Sequence, residues 1–115
     1  MDIDLWLRVS AANAERVCAA LAQFGAPAEA VDVRNFLDPG TVVQIGVAPR
    51  RIDLLTRIDG LEFDAASIRA SIATIGGLRI PVIGLADLIT NKRATGRAQD
   101  RIDAERLACL MAPGA

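Results

Sequence analysis

The sequence predicts an α+β domain: a mixed β-sheet with helices packed mainly on one side. Three observations carry this. Residues 2–9 alternate apolar and polar side chains, the period of a half-buried strand. Residues 11–24 repeat apolar side chains at helical spacing between a good N-cap and a glycine. Strand-like and helix-like stretches then follow in unequal runs rather than in strict alternation.

The first strand points Ile3, Leu5, Leu7 and Val9 one way and Asp2, Asp4, Trp6 and Arg8 the other. Ser10 is the N-cap expected for a helix over Ala11–Phe24, with Val17, Leu21 and Phe24 as its buried stripe. Gly25 stops that helix and Pro27 follows. A short helical turn is expected over 30–37, then a turn at Asp38-Pro39-Gly40. Strands over 41–47 and 51–58, joined by the tight link at Pro49-Arg50, form a hairpin. A helical turn over 61–66 leads to a strand over 68–75. Gly76-Gly77 turns that strand into its partner, 78–82. Two helices close the chain, over 85–95 with Leu85, Leu88 and Ile89 inward, and over 99–111 after Gly96. The tail Pro113-Gly114-Ala115 is expected to fray.

The 115 residues suit one domain, 1–115, with a single core. That core is aliphatic, because aromatics are only 3% of the chain. A net charge of −1 gives no overall field for nucleic acid. The basic residues are twelve Arg and one Lys, and five of the thirteen lie in 92–106. There is no His, so imidazole is neither base nor ligand. Cys18 and Cys109 lie apart in helical patterns and read as packed thiols, which fits a reducing cytoplasm. No apolar run approaches the roughly 18 residues of a membrane span.

The chemistry rests on acids. Asp2 and Asp4 share a strand face about 7 Å apart at the backbone, so both can approach one cation. Asp53 lies between Ile52 and Leu54-Leu55 in an otherwise apolar strand and is the natural third ligand. Three carboxylates suit Mg²⁺, which takes hard oxygen ligands and accepts phosphate oxygens for the rest. The bland alternative is that such acids are simply solvated, as on many edge strands. Arg51 does not decide between these, because neighbouring strand residues point to opposite faces.

The stretches Asp2-Ile3-Asp4-Leu5-Trp6, Val43–Thr56, Ile80–Arg93 and Gly96–Asp103 together resemble the small bacterial nucleotidyltransferase-like proteins of the polymerase-beta superfamily. The group related to abortive-infection toxin nucleotidyltransferases is the nearest in character. The resemblance implies a truncated nucleotidyltransferase-like fold. It implies that Asp2, Asp4 and Asp53 are catalytic and hold Mg²⁺ in a two-metal site. It places Lys92 near the nucleotide, with Asp100 and Asp103 as a final acidic pair. The implied reaction moves a nucleotidyl group from a nucleoside triphosphate to an RNA or protein acceptor.

Such enzymes carry a Gly-Gly or Gly-Ser turn upstream of the paired acids, and here Met1 directly precedes Asp2. Backbone N–H groups at such a turn cradle phosphates. The domain is therefore expected to be incomplete as this chain, with weak donor binding and little transfer by itself. Its first strand is expected to leave a sheet edge open to a second copy or a partner chain. The alternative function is a non-catalytic binding or toxin–antitoxin-type interaction module. For Lys92, Arg93, Arg97, Arg101 and Arg106 with Asp100, Asp103 and Glu105, a solvated, salt-bridged helical face competes with a nucleotide-binding role.

Overall fold

A computed structural model describes residues 2–111. The expected fraying of residues 113–115 lies outside them. The α+β class holds, with mixed strand pairing. The chain divides into two compact units, 1–58 and 59–115, each described by itself below.

The first unit contains β1 (Asp2–Trp6), α1 (Ala11–Phe24), β2 (Val42–Val47) and β3 (Arg50–Leu55). The strand order is β1-β3-β2, with β1 parallel to β3 and β2 antiparallel to it. The alternation of residues 2–9 makes a strand only as far as Trp6, after which the chain turns toward the helix cap.

Ser10 caps α1 as its sequence position implies, its Oγ accepting from the Asn13 N–H at 3.1 Å. Gly25 ends the helix at φ 87°, in the left-handed region. Its N–H reaches the Ala22 carbonyl, and the Ala26 N–H returns to Leu21. That pair of bonds satisfies carbonyls the helix itself cannot. Between α1 and β2 lie two short 3₁₀ turns, Ala28–Ala30 and Val33–Phe36, where one helical turn is expected.

The core gathers Ala14, Leu21, Phe36 and Leu54, with Leu7, Val17, Val43, Ile45 and Ile52 against it. In register, Val43 faces Leu54 and Ile45 faces Ile52, so one side of the hairpin supplies the apolar layer under α1. The helix stripe differs from its expected form. Ala14 is fully buried, whereas Phe24 is 66% exposed. Position 24 is the last of the helix, and the buried aromatic of the core is Phe36.

The second unit contains α2 (Phe63–Arg69), β4 (Ser71–Ile75), β5 (Leu78–Val82), α3 (Leu85–Ala94) and α4 (Ala98–Met111). Residues 68 and 69 end α2 rather than begin a strand, so the expected strand over 68–75 shortens to β4. The hairpin turn falls on Gly76 and Gly77 as expected, both at positive φ. Of the three inward residues expected in α3, Ile89 is buried, and Leu85 and Leu88 are half-buried. Asp87 is also buried, and the Arg69 side chain closes on both its carboxylate oxygens at 2.9 Å. No helix among the described residues is long and apolar enough to cross a membrane.

Candidate functional site: an acidic sheet face

Register fixes the acids. Ile3 and Leu5 lie across from Ile52 and Leu54, on the apolar side of the sheet. Asp2 then lies across from Arg51, and Asp4 directly across from Asp53, both on the other side. Gln44 of β2 flanks Asp53 on that same side. The three acids expected to work together thus share one face of two adjacent parallel strands.

Their surroundings differ. Asp2 and Asp4 lie on an outer strand and are exposed, whereas Asp53, on the central strand, keeps 13% of its side chain accessible. Its partner is Arg51. The Arg51 Nε lies 3.0 Å from Asp53 Oδ1, and Nη2 donates to Oδ2 at 3.3 Å. Nη2 also comes within 3.6 Å of Asp2 Oδ2. The first of these contacts is close enough for ion pairing but misaligned for a hydrogen bond, so Nε and Oδ1 are buried with neither satisfied. Asp4 has no ion pair among the described residues.

The expectation that Arg51 has no bearing on Asp53 is therefore corrected. Arg51 is two residues from Asp53, and strand residues two apart share a face. The spacing was readable in the sequence; only the immediate neighbours Ile52 and Leu54 point away. Among the described residues, no three Asp, Glu, Cys or His side chains close on a point that could hold a metal ion. The acids share a face, and Arg51 stands between two of them.

Lys92, Asp100 and Asp103 form a network within the second unit. The Lys92 Nζ lies 3.6 Å from Asp100 and 3.8 Å from Asp103. Asp100 also accepts from Thr95 Oγ1 at 2.8 Å and pairs with Arg97 at 2.8 Å. The Thr95 hydrogen bond, followed by the charges of Arg97 and Lys92, holds the Asp100 carboxyl below the usual carboxylate range. Asp103 accepts from Gln99 at 3.0 Å, and Arg93 pairs with Glu105 at 3.3 Å. These bonds tie the end of α3 to the start of α4, the work of a structural helix junction.

A concavity of about 500 Å³ is lined by Ile3, Phe24, Ile45, Pro49 and Ile52, with Arg50 and Arg51. Its isoleucines belong to the apolar side of the sheet, and Asp2, Asp4 and Asp53 do not line it. Comparison with known proteins finds no matching family model, no matching curated protein and no matching solved structure.

Proposed function

We propose that this chain is a Mg²⁺-dependent nucleotidyltransferase-like domain, acting between a nucleoside triphosphate and an RNA or protein acceptor. One observation supports this above others: Asp4 lies directly across from Asp53 on paired parallel strands, with Asp2 on the same face. Like charges placed opposite each other oppose strand pairing. A positive charge offsets that repulsion, and Asp53 Oδ1, buried beside Arg51 Nε at 3.0 Å without an aligned hydrogen bond, is the kind of atom a hard cation satisfies.

In this reading Asp2, Asp4 and Asp53 would have to draw together on the ion, since they do not close on a common point without it. Bound Mg²⁺ would supply a Lewis acid against the charge that builds on phosphate oxygens. The chain's own part is to fix three carboxylates on rigid strands. In the transfer, the acceptor oxygen bonds the α-phosphorus, the bond to the β-phosphate oxygen breaks, and pyrophosphate leaves. Lys92, Asp100 and Asp103 lie in the second unit and are given no part in that ion site. A cytoplasmic setting accompanies this reading.

The test is Mg²⁺-dependent binding of a fluorescent nucleoside triphosphate, followed by transfer of α-labelled nucleotide to RNA and protein acceptors. Weak binding that needs Mg²⁺ and disappears in Asp4→Ala is expected, with little transfer by this chain alone. Binding or transfer that survives Asp4→Ala would refute the proposal.

A second reading, a non-catalytic interaction module, is favoured by one feature. β1 is an outer strand of its sheet, and its apolar Ile3 and Leu5 remain 43% and 41% exposed. Such an edge suits a second copy or a partner chain. Sedimentation at micromolar concentration separates the readings, since a clean monomer with no partner-dependent protection of β1 contradicts the module.

A further inference from the structure

We propose that β4 pairs with the β4 strand of a second copy of this chain, antiparallel across a two-fold axis at Ala73, so that two hairpins join into one wider sheet. This surface lies in the second unit and owes nothing to the acid face.

The hairpin of β4 and β5 is a two-stranded sheet by itself. Its residues are exposed on both faces, except the cross-strand pair Ala73 and Ile80, which is half-buried. A lone hairpin is marginal in water and gains from further strands. Register decides which edge is open. The Gly76-Gly77 turn closes on Ile75 and Leu78, a hydrogen-bonded pair, and such pairs recur at Ala73–Ile80 and Ser71–Val82. The pairs between them, Thr74–Arg79 and Ile72–Pro81, turn their main-chain groups outward. Pro81 has no N–H, so it fits that position and removes a donor from the outer edge of β5. The outer edge of β4 keeps its donors at Ile72 and Thr74. Among the described residues no other segment hydrogen-bonds that edge.

The occupant is a second copy because β4 suits itself. Ser71-Ile72-Ala73-Thr74-Ile75 carries no charge, so nothing repels an identical strand. With the axis at Ala73, Ile72 lies across from Thr74 of the second copy, and each such pair exchanges both its N–H···O bonds. Ala73 meets its own counterpart on the axis, where small side chains let the strands close. The exposed Ile75 and Leu78 of both copies then extend one apolar face.

The experiment is sedimentation of the 115-residue chain combined with a charge exchange. The parent is expected to dimerise at high micromolar concentration. One protein carries Ile72→Lys with Thr74→Lys, and another carries Ile72→Glu with Thr74→Glu. Each is expected to self-associate at least about tenfold more weakly than the parent, because like charges then lie opposite each other. Mixed together, the two are expected to pair about as tightly as the parent, with opposite charges across the new seam. A parent that stays monomeric overturns the proposal. So does a dimer that the charged proteins form as well as the parent does, or a failure to pair on mixing when both keep the parent's circular dichroism. Should either variant misfold, hydrogen exchange of the parent decides. The Ile72 and Thr74 amides are expected to slow by about tenfold on concentration, while the outward Arg79 amide does not change. No slowing at Ile72 and Thr74, or equal slowing at Arg79, overturns the pairing.

Discussion

Thr56, just past β3, is buried at 6% exposure. Its Oγ1 accepts from the Gly40 and Thr41 N–H groups, both at 3.0 Å, and its own hydrogen reaches the Asp38 carbonyl at 2.9 Å. One hydroxyl therefore closes the turn that feeds β2 back toward β3. Thr56→Val keeps the shape and removes the oxygen. The Thr41 N–H retains the Asp38 carbonyl at 3.3 Å, while the Gly40 N–H loses its acceptor. Two bonds are lost without a substitute, Gly40 N–H to Oγ1 and Oγ1–H to the Asp38 carbonyl, each contributing about 1 kcal/mol, so a loss of about 2 kcal/mol is expected. That corresponds to a fall in Tm of about 10 °C for a domain this small. Thr56→Ser keeps the oxygen and drops one methyl, costing about 0.8 kcal/mol. Thermal and urea unfolding followed by circular dichroism measure both. The reasoning is refuted if Thr56→Val is within about 0.5 kcal/mol of the parent, or if serine is no better than valine.

Leu54→Ala should cost about 3 kcal/mol in urea unfolding, because Leu54 packs in the core under α1, whereas Phe24→Ala should cost less than about 1 kcal/mol because that ring is mostly exposed. Equal losses would overturn the placement of the core. Asp4→Asn should leave stability unchanged or raise it by up to about 0.5 kcal/mol, since it removes a like charge opposite Asp53; a clear loss would mean that Asp4 has a stabilising partner. Asp100 and Asp32 both have carboxyls held low, Asp100 chiefly by Thr95 and Asp32 by hydrogen bonds from Arg34. Lowered folded-state values add stability above the unfolded carboxylate range, near pH 4, and that stability is lost as pH falls through the folded values. Asp100→Asn should therefore flatten the stability profile between about pH 5 and 2, and an unchanged profile would contradict the assignment.

Much of this was legible in the chain. α1 was readable end to end because Ser10 and Gly25 mark both boundaries with specific local chemistry. The hairpin at Gly76-Gly77 was readable because that turn needs positive φ at both positions. The common face of Asp2 and Asp4 follows from strand period alone. That Asp53 joins them depends on the β1–β3 register, a long-range pairing no local pattern specifies. Phe36 is the most completely enclosed large side chain among the described residues, yet it sits in an irregular stretch where no period marks an inward face. Thr56 and Asp87 were missed for a related reason. A buried polar residue is tolerated only through its partners, here the 38–41 turn and Arg69, and those meet it across the fold.

The most direct test of the acid face uses Mn²⁺ as a paramagnetic substitute for Mg²⁺ in the backbone NMR spectrum. At substoichiometric Mn²⁺, signals of residues 2–5 and 51–54 should broaden first, and Asp4→Asn with Asp53→Asn should restore them. Broadening spread evenly over the chain's fourteen acidic residues, or none in β1 and β3, would contradict a cation site on this face.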